Sequence, residues 1–245
     1  MSNPALKEEI LDRYSNTYDG LEKATVSGMV GKTAVLTFVV ALVSLYTYAL
    51  VIKGFQDKAM MLSIVGAIGA LIVAFVIAFT KKIRNVGPLS FLYAGLEGLA
   101  VGAISGTYSI YFGGSIVLSA VVATIATLFS MLFLYKTGIV KCTDTFRSTI
   151  MTATAGIAII YILAFFIAPL RMFLFGSNAL AAIGINVLIC GIAAFNFIID
   201  FDTIERIANS NADKNFEWYG AFSLLVTLVW VYLEFLKLLA RMSKK

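Results

Sequence analysis

Histidine is missing from all 245 residues. Its absence removes the side chain that usually titrates near neutral pH and the commonest nitrogen ligand for metals. Any response to pH must then come from Asp or Glu. Charge is scarce as well: 13% of the residues are charged and 60% are hydrophobic, where an average soluble domain carries about 25% charge. A water-soluble fold of this length could not cover so much apolar surface with so few charges, so the composition predicts an integral membrane protein. The two cysteines, Cys142 and Cys190, lie far apart with no CxxC pattern, which argues against a disulfide framework and a zinc site. Cys190 sits in an apolar run and reads as a small hydrophobe. No nucleophile–base motif and no cluster of metal ligands occurs, so the chain is expected not to be an enzyme and to carry no resident cofactor. The net charge of +5 reads as membrane topology and not as nucleic-acid binding.

What is present is a series of long apolar runs. A bilayer core needs about 20 apolar residues per helix, and seven stretches meet that test: 33–52, 59–80, 89–110, 115–134, 149–170, 179–199 and 218–239. They are continuously apolar, whereas strands of a membrane barrel would alternate. The breaks are short and well marked: KGFQDK, KKIRNVGP with Pro88 suited to a helix first turn, the tight hairpin YFGG, the basic YKTGIVKCTDTFR, and RMFLFGSN, where Pro169 helps end the fifth helix. No internal repeat is evident, which disfavours an inverted-repeat transporter. The expected fold is all-α with seven transmembrane helices. Residues 1–31 form a polar N-terminal segment without the apolar core of a signal peptide, and residues 32–245 form the membrane domain.

Basic residues orient the chain. Lys7, Arg13, Lys23, Lys32, Lys81, Lys82, Arg84, Lys136, Lys141, Arg147, Arg206 and Lys214 fall on the N-terminal side. Lys53, Lys58, Arg171, Lys237, Arg241, Lys244 and Lys245 fall on the other. The inter-helix loops predict a cytoplasmic N-terminus; the basic tail is the one discordant feature.

Three features invite structural readings. GMVGKT at 28–33 looks like a phosphate loop, but Val26 stands where that motif needs glycine and no strand precedes it. It reads as a flexible lead-in to the first helix. Gly98, Gly102 and Gly106 are spaced by four in the third run, giving a small-residue face for close helix packing, within the monomer or across a dimer. Trp218 and Tyr219 sit where an interfacial aromatic belt would lie.

Carboxylates inside the apolar runs point to function, because a charged Asp at a helix centre costs about 2.5–3.5 kcal/mol on insertion scales. Glu97 lies among glycines in the third run with no basic residue within a turn. Glu234 lies deep in the seventh and can pair with Lys237 at i+3. Asp200 and Asp202 end the sixth in FIIDFDTIER, where Asp202 can pair with Arg206 at i+4. Two residues apart on a helix, these aspartates point about 200° apart, so only one can face the interior.

FDTIERI, followed after a short polar loop by EWYGAFSLLVTLVWVYLEFLKLLARM, resembles the last two helices of the transmembrane Bax inhibitor motif family. NPAL, ATVSGMVGKTAVL and the EWY element look most like its bacterial inner-membrane branch. The resemblance implies six helices around a central C-terminal helix, and a pH-sensitive calcium leak gated by two hydrogen-bonded aspartates. The helix 6 aspartate falls on Asp202, with Asp200 as the near alternative. The helix 7 aspartate, in a pattern like ALxLYLDxxNLF, falls on Thr227 when laid on AFSLLVTLVWVY. Glu234, seven residues later on the same face, or Glu97 at a similar depth, can supply the missing acid.

The expected function is therefore a passive, pH-sensitive cation leak gated by protonation of these carboxylates, with calcium as the favoured ion and calcium or protons as the expected partners. Calcium prefers several hard oxygen ligands, and Asp202, Asp200, Glu97, Glu234, Asn196 and Thr227 are the available ones, with Asp202 and Glu97 as the leading calcium contacts. The contrasting reading is a non-conducting regulator in the inner membrane that restrains a membrane-bound protease through its N-terminal segment. No motif sets an oligomeric state.

Overall fold

The computed structural model describes residues 22–80, 83–176 and 180–243. Lys7, Arg13, Lys81, Lys82, Lys244, Lys245, the NPAL element and most of the 1–31 segment lie outside these residues. Among the described residues seven helices are long and apolar enough to cross a membrane. They are α1 Val26–Ile52, α2 Gln56–Phe79, α3 Val86–Phe112, α4 Ser115–Lys136, α5 Asp144–Phe166, α6 Leu180–Asn209 and α7 Phe216–Ser243. The expected all-α membrane architecture is found, and each expected run maps to one helix except the fifth, 149–170, which breaks after Phe166 at the extended Ile167. No strand occurs among the described residues; Lys23 and Asp213 form an isolated antiparallel bridge.

Local chemistry explains the boundaries. Thr25 caps α1, its hydroxyl accepting from the Gly28 backbone N–H at 2.9 Å, and Thr143 caps α5 through the Phe146 N–H at 3.1 Å. The first helix thus begins at Val26, so GMVGKT is helical and not a flexible lead-in. The alcohol at position 25 can satisfy an orphan N–H, and nothing between it and Thr33 breaks a helix. Gly113 in YFGG turns the chain with φ of +90°, a conformation open to glycine. After α5, Ile167 is extended and Pro169 stands at the start of a short helical turn, Ala168–Arg171, which passes into a π-helical turn, Met172–Gly176.

The chain divides into two compact units. The first holds α1, α2, α3 through Thr107, and residues Asp202–Val226. Here the glycine stripe of α3 packs directly on α1. A Cβ at Gly98 would lie 2.8 Å from the Val40 carbonyl oxygen, and one at Gly106 would lie 2.8 Å from Val51 Cβ. At Gly102 it would overlap the Ser44 carbonyl and the Thr47 hydroxyl. The stripe is used inside the chain, and only a hydrogen side chain lets these backbones meet. Gly66 of α2 makes a similar approach to Leu96 and Leu99 of α3. Trp218 stacks beside Phe91, with centroids 5.2 Å apart, and over Gly87. Tyr219 is buried, so it fills the protein interior and not an aromatic belt.

The second unit comprises Tyr108–Phe201 and Thr227–Lys245. In it α4 and α5 show mostly exposed apolar side chains, as lipid-facing helices do, while the second half of α7 is largely buried. Among the described residues, the third and seventh spans bury 56% of their most apolar windows, against 11–22% for α1, α2, α4 and α5.

Candidate functional site

The second unit gathers polar groups around Glu234. This residue lies eighteen positions into α7, roughly 27 Å along it at the standard rise, and is 2% exposed. Its Oε1 accepts from Tyr161 Oη of α5 at 2.7 Å, from Lys237 Nζ at 3.0 Å and from Trp230 Nε1 at 3.3 Å. Its Oε2 accepts from Asn186 Nδ2 of α6 at 2.9 Å and lies 2.9 Å from Lys237 Nζ. Lys237 also donates to Tyr161 Oη at 2.6 Å, and its ammonium sits 4.6 Å from that ring's centroid. A lone buried carboxylate is strongly disfavoured; one with a cation and several donors is held, and removing one partner of such a pair typically costs about 3–5 kcal/mol.

One turn further, Arg241 is buried too. It donates through Nη1 to the Ala182 carbonyl of α6 and through Nη2 to the Leu174 carbonyl in the π-helical turn. Tyr108, near the end of α3, lies within electrostatic reach of both Arg241 and Glu234, and Cys190 within reach of Glu234 and Lys237. Glu234, Lys237 and Arg241 stand at i, i+3 and i+7, one face of a helix.

Asn196 donates to Thr154 Oγ1 of α5 at 2.9 Å and to the Ile192 carbonyl at 2.8 Å, so its amide ties α6 to α5. Thr227 is buried. Asp200 is buried, but it is fourteen positions from Asn186, roughly 21 Å along α6. Asp202 belongs to the first unit, where Arg206 Nε donates to its Oδ2 at 2.7 Å from a half-exposed side chain. Asp200 is the more buried of the two aspartates, while Asp202, the leading expectation, is 16% exposed and pairs with Arg206 near the helix end. Glu97 is half-buried, eleven residues into α3, and makes no hydrogen bond or ion pair among the described residues. No three Asp, Glu or Cys residues among those described come close enough together to hold a metal ion.

The first unit carries a second buried ion pair that the sequence did not flag. Glu217, in the first turn of α7, is 2% exposed. It accepts from the Thr25 N–H at 2.9 Å, the Thr25 hydroxyl at 3.0 Å and the Lys32 ammonium. Lys32 in turn lies 5.0 Å from the Trp218 ring centroid. Gly28 makes the room: a Cβ there would strike the Glu217 carboxylate. Beside this pair, the Ala24 N–H donates to the Ala212 carbonyl at 2.9 Å and the Lys214 N–H to the Glu22 carbonyl at 3.0 Å. Lys23 Nζ reaches Asn211 Oδ1 at 2.9 Å, and Lys214 pairs with the Glu22 carboxylate, which raises the Lys214 pKa above the ordinary lysine value. Residues 22–25 are thus clasped to the loop between α6 and α7.

Sequence reasoning singled out intramembrane carboxylates and passed over their neutral partners. Tyr161 and Asn186 each interrupt a long apolar run with a group that must be hydrogen-bonded if buried, and that was the available signal. The pattern ALxLYLDxxNLF also fits a second register: laid so that its acid falls on Glu234, it meets Tyr232, Leu233 and Leu238 at identical positions.

No curated protein matches the chain. The family profile described as Bax inhibitor 1 like matches residues 3–244. With nearly its whole length matched and seven membrane-spanning helices in place, the chain belongs to the Bax inhibitor 1 like family.

Proposed function

We propose that the protein is a passive, pH-sensitive cation leak of the Bax inhibitor type, with calcium as the ion the family resemblance implies, and that protonation of Glu234 is its gating event. The observation that carries this reading is the set of contacts on Glu234: its carboxylate holds side chains from α5 and α6 to α7. Protonation cancels the charge that pairs with Lys237 and weakens every charge-assisted hydrogen bond it receives. Three helices lose a common anchor at once, and that is a two-state element which pH can bias. Glu97 supplies a separate station for a cation, since no protein cation neutralises it among the described residues.

The reading includes an inner-membrane location with the N-terminus in the cytoplasm, supported by the basic residues of the inter-helix loops. With Lys237 and Arg241 buried, only Lys53, Lys58, Arg171, Lys244 and Lys245 count as basic loop or tail residues on the opposite side, and the discordance of the basic tail shrinks. The test of the gate is calcium flux against pH in liposomes containing only this protein. Wild type should open as pH falls. Glu234→Gln, locked in the neutral form, should be open across the range; a Glu234→Gln protein that keeps the wild-type pH profile would place the gate elsewhere.

A second reading is favoured by the clasp of residues 22–25 on the α6–α7 loop. It supplies a fixed base from which the N-terminal segment could meet a membrane-bound protease, with the protein acting as a non-conducting regulator. Wild-type liposomes without flux of any cation would leave this reading in place of the leak.

A further inference from the structure

Among the described residues of the second unit, the charged groups that meet along the inner face of α7 are one acid and two bases: Glu234, Lys237 and Arg241. The groups facing them are neutral: Tyr161 from α5, Asn186 and Cys190 from α6, Tyr108 from the end of α3, and Trp230 one turn back on α7. The cluster carries a net charge of +1 within a largely apolar setting. Every oxygen of its one carboxylate is already engaged. A metal cation entering here would find an ammonium within 3.0 Å of both carboxylate oxygens and a guanidinium one turn on. Repulsion between cations is strong where water does not screen it. Calcium also demands six or more oxygen ligands, and this shell offers donors instead: an ammonium, an amide N–H, an indole N–H and a phenol hydroxyl.

The same shell suits a proton. Tyr161 Oη donates to Glu234 Oε1 at 2.7 Å and accepts from Lys237 Nζ at 2.6 Å, so three titratable groups form one unbroken hydrogen-bonded chain. We infer that the Glu234–Tyr161–Lys237 chain is a proton-transfer centre, so that this cluster passes protons and any metal ion in the leak travels outside it; this rests on the protein being a leak.

The step balances without any added reactant. The phenol O–H proton moves to Glu234 Oε1 as a proton of the Lys237 ammonium moves to Tyr161 Oη. The carboxylate becomes a neutral acid, the ammonium a neutral amine, and the tyrosine stays neutral with its hydroxyl now directed at Lys237, so it turns back toward Glu234 before the next transfer. Low polarity brings the ion pair and the neutral pair of acid and amine close in energy, which water would keep far apart. Release of the proton from Glu234 on one side and reprotonation of Lys237 from the other complete one transfer. Arg241, tied to two backbone carbonyls, stays charged throughout and keeps metal cations out.

The test uses the full chain in liposomes loaded with a pH dye in one set and a calcium dye in another. Wild type should carry protons down a pH gradient with no calcium present, and more slowly in D2O. Tyr161→Phe keeps the ring and deletes the relay oxygen; proton flux should fall on the order of a hundredfold, the usual scale for losing a positioned acid–base group. Lys237→Met, of similar length, should do the same. Infrared difference spectra of wild type give a second readout: a protonated carboxyl band should appear on acidification and vanish in Glu234→Gln. Calcium flux with proton flux no greater than in protein-free liposomes would keep the leak and overturn the proton centre. Proton flux unchanged by Tyr161→Phe would overturn it too. No flux of either ion would remove the leak itself and the inference with it.

Discussion

Thr25 and Glu217 are 192 positions apart in sequence and joined by two hydrogen bonds, one from the Thr25 N–H and one from its hydroxyl, at 2.9 and 3.0 Å. The residue that caps α1 is therefore also the residue that seats the start of α7. Lys32 completes the pair one turn or so into α1.

That coupling predicts non-additive energetics. Glu217→Ala should destabilise the protein by about 3 kcal/mol, because it leaves Lys32 without its counter-charge. Lys32→Ala should cost a similar amount. The double variant should cost clearly less than the two together, since the partners share one interaction. Reversible unfolding in detergent gives the three values; strict additivity would show that the two side chains do not depend on each other.

The α3 glycines give a test with its own control. Gly102→Ala places a methyl group on the Ser44 carbonyl, and overpacking of this kind should cost about 1–3 kcal/mol. Gly95→Ala, on the same helix with open space around it, should be neutral or slightly stabilising. If Gly102→Ala alters oligomer size in solution and leaves stability untouched, the stripe faces another copy and not α1.

The two aspartates of α6 separate by their surroundings. Asp202→Asn removes an i,i+4 pair with a half-exposed arginine, worth about 0.3–0.5 kcal/mol, and should leave flux and its pH profile as in wild type. Asp200→Asn changes a buried carboxyl and should shift the profile. The reverse result, with Asp202→Asn alone altering the profile, would restore the gate to the position the family resemblance gives it.

Topology can be read at the clasp. Residues 22–25 and the 211–214 loop pair with each other, so they lie on one side of the membrane. In a variant without Cys142 and Cys190, Ser210→Cys should label from the cytoplasmic face only. Labelling from the outer face would invert the orientation.

Apolar runs of twenty residues determine a membrane helix almost by themselves, which is why all seven spans were legible in the sequence and only their ends moved. The end of the sixth moved most, from 199 to Asn209, because the helix runs on through the polar FDTIERIAN; the start of the first moved from 33 to Val26, set by the single hydroxyl of Thr25. Side-chain partnership was legible where it is local: Glu234 with Lys237 and Asp202 with Arg206 follow from helical spacing. It was not legible where it is tertiary. Nothing in the chain near Glu234 announces Tyr161 or Asn186, and nothing near Thr25 announces Glu217. The choice between Asp200 and Asp202 was likewise open, because spacing says that they diverge but not which one turns inward.

The row of Glu234, Lys237 and Arg241 on α7 bears on how the chain is made. A segment leaving the translocon meets lipid before it meets its partners, and each charge near the bilayer centre then costs about 2.5–3.5 kcal/mol. Alone, the last helix should be a poor client for insertion despite its apolar content. Translation order resolves this: Tyr161, Asn186 and the Ala182 carbonyl are synthesised earlier, so the groups that receive these charges are already waiting in the bilayer. α7 should then enter as a late guest of α5 and α6, and a glycosylation reporter should show it crossing efficiently only when those two helices precede it.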